Sequence, residues 1–182
     1  MINDRFHPTA FISYCWESDY HSRWVENIAA RLCGDGIDVT LDKWHLEPGD
    51  RLPFFMERLK DSDFVLFVCT PAYKQKSDRR EGGSGYETDI ITSRLLYNED
   101  DHRKYIPLLR RGEWPQVAPV WAQGKFYLDF RGEPYMEESY RKLLETLFRI
   151  GNAAPAVGPP PIIQPRGRKR LNLANDLRIG GE

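Results

Sequence analysis

Long apolar runs are missing from this sequence. The longest uninterrupted one, FVLFVC at 64–69, is far too short to span a bilayer. The start, MINDRFHPTAFISY, has no apolar core of the signal-peptide kind. Cysteine is scarce: Cys15, Cys33 and Cys69 stand far apart and form no C-x-x-C pair, so neither a disulfide framework nor a zinc knuckle is expected. No H-x-x-x-H or Cys/His cluster points to a metal. No G-x-G-x-x-G follows a strand, which removes the dinucleotide-binding fingerprint. Charge of one sign is not in excess either, the net being −1, so nucleic acid and anionic membranes are poor candidates for the main partner. Together these gaps predict a cytoplasmic protein kept reduced, with no membrane segment.

What remains is enough to build a core. Hydrophobic residues make up 41% and aromatics 13% of 182 residues, the profile of an ordinary globular domain with an extension. The balanced charge hides an asymmetry, because residues 152–182 carry five Lys+Arg against two Asp+Glu.

Periodicity organises the rest. AFISY (10–14) reads as a buried strand. From Tyr20 to Cys33, Trp24, Val25, Ile28, Ala29 and Leu32 recur at helical spacing. IDVTLD (37–42) alternates as a second strand, and KWHLEPGDRL follows as a loop with a Pro-Gly turn. Pro53 opens a short helix through Leu59. DFVLFVC is a third strand, apolar throughout and therefore covered on both faces. The polar stretch TPAYKQKSDRREGGSG reads as a loop into a helix over about 86–97. YIPLL (105–109) and KFYLDF (125–130) are strands four and five, although Pro107 removes one ladder donor. A closing helix over 137–150 buries Tyr140, Leu143, Leu144, Leu147 and Phe148. Strands alternating with helices predict a flavodoxin-like α/β fold, a doubly wound five-stranded parallel sheet with helices on both faces.

Such sheets bind ligands in the crevice beyond the carboxyl ends of their strands. CWESD, DKWHLEPGD and the 70–85 segment all arrive there, which brings Tyr14, Trp16, Asp42, Trp44, Tyr73, Tyr86 and Glu87 to one edge. Aromatic rings beside acids suit a nucleotide-like ligand with flat bases and ribose hydroxyls. A receiver domain would end strand three in aspartate, where this chain has Cys69. Cys69 with His45 is conceivable as a thiol and its base, but a buried thiol is the common outcome for such a cysteine. Arg79 and Arg80 are candidates for pairing a diphosphate, against a solvated basic loop; His21 carries no functional weight in the sequence.

Glu87 admits two roles. Ser84-x-x-Glu87 is a capping box, in which the third-position acid closes the first helical turn. The same carboxylate, at the crevice, could act on substrate. Trp44 likewise reads as a substrate ring or a loop anchor, Asp42 as a ribose ligand or a turn cap, and core packing claims at least one of Tyr14 and Trp16.

AFISYCWES, IAARLCGDGIDVTLDKWHLEPGD and DFVLFVCTPAYKQK resemble the Toll/interleukin-1 receptor (TIR) domain, closest to the bacterial branch that overlaps the SEFIR family. The likeness spans about 8–150 and leaves 151–182 as a Pro/Gly-rich basic linker or tail. It implies the flavodoxin-like fold and, for many bacterial members, cleavage of NAD⁺ at the nicotinamide–ribose bond by self-associating antiviral effectors. It also implies that Glu87, near the start of the helix after strand three, is the catalytic glutamate. Tyr14, Trp16, Asp42, Trp44 and Tyr86 then bind substrate, NAD⁺ is substrate with no resident cofactor, and the loop 42–52 is the moving, assembling loop of a homo-oligomer. Many active members have a tryptophan four residues before the glutamate; here Gly83 stands there, and Tyr86 or Trp44 would supply the ring. Receptor and adaptor relatives are scaffolds without activity, so a homotypic interaction module is the alternative, and a nucleoside-processing transferase a third. The tail suggests a sensor domain or partner beyond Glu182.

Overall fold

The computed structural model describes residues 7–50, 58–79, 103–151, 156 and 158–160. Most of the helix expected over 53–59, all of the one over 86–97, and Arg80, Gly83, Ser84, Tyr86 and Glu87 lie outside these residues. The chain divides into two units, 1–151 and 152–182, and every element described below belongs to the first.

The strands are β1 (Thr9–Ser13), β2 (Asp38–Thr40), β3 (Phe64–Cys69), β4 (Tyr105–Leu109) and β5 (Leu128–Asp129). They form a parallel five-stranded sheet in the order β2-β1-β3-β4-β5. The expected flavodoxin-like α/β fold is therefore present. Between and after the strands lie α1 (Asp19–Gly34), α2 (Asp42–His45), α3 (Pro71–Arg79), α4 (Trp114–Val117) and α5 (Glu137–Leu147).

Alternation along the strands divides the core. Ala10, Ile12, Tyr14, Phe64, Leu66 and Val68 turn to one face and meet Val25, Ile28 and Leu32 of α1 and Tyr140, Leu143 and Leu147 of α5. Phe11, Cys15, Val65, Phe67 and Cys69 turn to the other, against Leu59, Tyr73 of α3 and Val117 of α4. β3 sits mid-sheet with all its residues buried, which is why its sequence is apolar without a period of two. The α1 and α5 faces are those the spacing predicts, though α5 ends at Leu147.

Three expectations need correction. The stretch after β3 begins with helix α3, which its polar sequence concealed. Thr70 accepts from the Tyr73 amide at 3.1 Å and Pro71 takes the first helical position, a start signal standing in for the absent apolar stripe. The segment after β2 opens with the single turn α2, braced by His45 Nδ1 at 2.9 Å from the Leu41 carbonyl, before the expected Pro-Gly turn, where Gly49 has φ +105° and Asp50 N–H donates to Glu47 O at 3.0 Å. β2 and β5 are also shorter than the patterns 37–42 and 125–130. Pro107 is tolerated because β5 pairs only with Leu108 and Leu109, leaving β4 an edge at the proline.

Gly112, just past the carboxyl end of β4, holds φ +85°, and a Cβ there would stand 2.6 Å from Val117 Cγ1. Val117 is fully buried and β-branched, so it cannot swing away. Gly112→Ala is expected to lower stability by about 2 kcal/mol or more, read as a lower denaturant midpoint at unchanged slope.

Candidate functional site

The order of the strands places the topological switch between β1 and β3, whose chain directions diverge to opposite sides of the sheet. The residues leaving β1 are Tyr14, Cys15, Trp16 and Glu17. Pleat alternation sends Tyr14 and Cys15 into opposite cores, while Trp16, beyond the end of β1, stands in solvent, 62% exposed.

Three of the residues singled out from the sequence converge. The Trp16 indole Nε1–H donates to Asp42 Oδ2 at 2.8 Å, joining the end of β1 to the start of α2. Asp42 Oδ1 accepts from the Lys43 amide at 2.7 Å, so both carboxylate oxygens are oriented while lone pairs stay open for further donors. Lys43 reaches over the Trp16 ring, 5.9 Å from its centroid, and pairs with Glu26 on α1. Tyr14 is buried beneath this group, with its hydroxyl near the Asp42 carboxylate. Burial pushes its phenol pKa well up, and the nearby Asp42 carboxylate adds to the shift. Trp44 stands on the same helical turn, 44% exposed, at the rim. Thus Tyr14 takes the core role and Trp16 the surface one.

A second group at this edge escaped the sequence reading. Glu17 accepts a hydrogen bond from the Thr70 hydroxyl, lies 3.7 Å from Arg111 Nη1, and has His21 Nε2 at 3.9 Å. Thr70 thereby caps α3 and clamps the β1–α1 connection at once. His21 is buried and stacked on Trp24, and among the described residues its ring nitrogens have no hydrogen-bond partner. Burial lowers its pKa; Glu17 opposes the shift and Arg110 and Arg111 reinforce it. Arg110, itself buried, stacks 4.6 Å from the Trp24 ring and pairs with Glu133. Two adjacent arginines straight after an apolar strand were the available signal, because that position falls on the carboxyl edge.

The thiol alternative fails on geometry. Cys69 is fully buried, its Sγ–H directed to the Phe67 carbonyl at 3.6 Å, while His45 is engaged with Leu41. Burial drives the Cys69 pKa far up, away from a reactive thiolate. Among the described residues no helix is long and apolar enough to cross a membrane.

Comparison with known proteins places this geometry in context. A family model described as TIR domain matches residues 10–144. The crystal structure of a prokaryotic SEFIR domain is 36% identical, with TM-score 0.62, over 78% of this chain and 99% of that one. The TIR domain of the Toll-related receptor TRR-2 from Hydra magnipapillata is 19% identical, with TM-score 0.53, over 78% and 95%. A TIR-STING receptor from C. gigas, solved with 2',3'-cGAMP, is 16% identical, with TM-score 0.53, over 76% of this chain and 38% of that one. No curated protein sequence matched.

Proposed function

The chain belongs to the TIR domain family, and from that premise we propose that it hydrolyses NAD⁺ at the nicotinamide–ribose bond, with Glu87 as the catalytic carboxylate. The observation that supports this reading is the Trp16–Asp42 pair at the sheet's switch point, with Trp44 exposed on the adjoining turn. A ring beside an oriented carboxylate is what a nucleotide needs: one surface to stack on and one acceptor for ribose hydroxyls. Nicotinamide departs from NAD⁺ as a neutral group, so no acid must protonate it, unlike the leaving alcohol of an ordinary glycoside. The charge to be stabilised is the oxocarbenium-like ribose, and one carboxylate suffices in kind. In this scheme Glu87 faces that charge, Asp42 holds ribose, and Trp16 and Trp44 pack flat rings. Incubating the purified chain with NAD⁺ and assaying nicotinamide tests the proposal.

Trp16→Phe keeps a ring but removes the donor that aims Asp42. It is expected to reduce kcat/KM for NAD⁺ roughly fivefold to tenfold, about 1–1.4 kcal/mol, chiefly through KM. Because Trp16 is exposed, the thermal midpoint should stay within a degree or two. A loss of equal size in stability would assign the pair a purely structural role.

Self-association is part of the same proposal. The loop 42–52 carries half-exposed Trp44, and Trp16, bonded to Asp42 at the start of that loop, is exposed as well. NAD⁺ cleavage is expected to rise faster than linearly with protein concentration, and Trp44→Ala to flatten that curve. Strict proportionality over a wide dilution series, with monomer in light scattering, would count against assembly.

The second reading is a homotypic interaction module, favoured by the 36% identity to a SEFIR domain and by the same exposed tryptophans. Assembly without nicotinamide release, even in clustered protein, would establish it.

A further inference from the structure

The amino edge of the sheet, opposite the candidate site, bears a cavity of about 420 Å³. Its walls come from the residues entering β3 (Asp63, Phe64), those entering β4 (Arg103, Lys104) and the end of α5 with the turn beyond (Lys142, Arg149). The volume falls within the range of small-ligand pockets.

The charges on this wall are unequally satisfied. Asp63 Oδ2 accepts from the Thr9 amide and hydroxyl, both at 2.9 Å, tying β1 to the start of β3. Glu145, the other carboxylate of the lining, receives Lys142 Nζ at 3.3 Å. Lys104 Nζ donates to the Lys60 carbonyl at 2.9 Å. Arg103 and Arg149 have no carboxylate partner among the described residues, and both guanidinium groups border the cavity.

Arg149 is held there by an unusual backbone. α5 closes with Ile150 N–H donating to Glu145 O at 2.8 Å and Arg149 N–H to Thr146 O at 3.1 Å, the Schellman arrangement. The residue at its left-handed position is normally glycine, yet here it is arginine with φ 56°. The penalty of placing an L side chain in that region brings its guanidinium 5.8 Å from the Phe64 ring centroid, over the apolar floor of the cavity.

We propose that this cavity binds a small phosphate-bearing anion, with Arg103 and Arg149 gripping phosphate oxygens. A planar guanidinium fork matches phosphate geometry bidentately, which a point-charge ammonium does not. The source is either a free polyphosphate or the diphosphate of a nucleotide, whose base would lie against Phe64.

Titration calorimetry on the full chain, with inorganic pyrophosphate and separately with ADP, tests this. The Glu87→Gln background keeps the proposed reaction out of the measurement. Saturable one-to-one binding of pyrophosphate is expected, weakening as salt rises. Arg103→Gln combined with Arg149→Gly should weaken it at least tenfold. Arg149→Gly alone should keep or raise the thermal midpoint, since glycine suits the left-handed position, yet still weaken binding. Binding of ADP that is tighter than that of pyrophosphate and is lost in the double variant identifies the nucleotide source. ADP binding at this cavity no tighter than pyrophosphate identifies the free polyphosphate. Unchanged affinity in the double variant, or no saturable binding by the unaltered arginines, overturns the proposal and leaves Arg149 a cation at a helix carboxyl end.

Discussion

Glu87→Gln is expected to leave the domain folded and to lower nicotinamide release by a factor of roughly a hundred or more. The two roles open to Glu87 respond differently to this change. A capping box takes glutamine or glutamate at its third position, because either side chain accepts the amide hydrogen of the cap residue. Stability should then move by no more than about 1 kcal/mol, the part owed to a negative charge near a helix amino terminus. Stabilising a ribosyl cation needs the charge itself, which glutamine lacks. Ser84→Ala reverses the pattern, with a loss of about 1 kcal/mol in stability and much of the activity kept. Normal turnover by Glu87→Gln would leave Glu87 a cap and sink the mechanism.

Phe67→Ala should destabilise the protein by about 3–5 kcal/mol. Phe67 is fully buried near the end of β3, between Tyr73 of α3 at 6.5 Å and Trp121 at 4.7 Å between ring centroids. Its neighbours are tied elsewhere, Tyr73 through its hydroxyl to Ser13 Oγ at 3.0 Å and Trp121 through its indole to Ser77 at 3.2 Å, so they cannot collapse into the gap. For a domain of this size the thermal midpoint should fall by roughly ten degrees. α3, whose first residue follows Thr70 and thus the Glu17 clamp, should loosen with it. Hydrogen exchange should therefore quicken at Tyr73 and Lys74 more than in α1. A drop of under 1 kcal/mol would mean that this face of the sheet repacks freely.

Much of the fold was legible in particular residues. Trp24, Val25, Ile28, Ala29 and Leu32 mark α1 because a long amphipathic helix writes its buried stripe into the sequence. The unbroken FVLFVC marks a central strand because both of its faces are covered. α3 was not legible: among its described side chains it buries only Tyr73 and Ser77 deeply, too few positions for a stripe, and its start depends on a Thr-Pro pair that reads equally well as a turn. The short β2 and β5 were overdrawn, since alternation continues past the point where a neighbouring strand stops offering hydrogen bonds.

The sequence by itself determined the layered α/β architecture and sent Tyr14, Trp16 and Asp42 toward one edge, because hydrophobic period and the alternation of strands with helices are written along the chain. Which of these residues touch was decided only by tertiary structure. The bond between Trp16 and Asp42 spans 26 positions, and Glu17 meets Thr70 across 53. Neither pairing leaves a trace in local spacing, because each depends on the parallel register that sets β1 beside both β2 and β3. Tyr14 and Trp16 have the same parity, so the pleat does not separate them. Trp16 stands in solvent because the chain has by then left the sheet, while Tyr14, just past the last strand residue, still packs into the core. The cationic cavity at the amino edge has the same origin: Arg103 and Arg149 lie 46 positions apart in the chain, and only the packing of α5 beside β3 and β4 brings them to one wall.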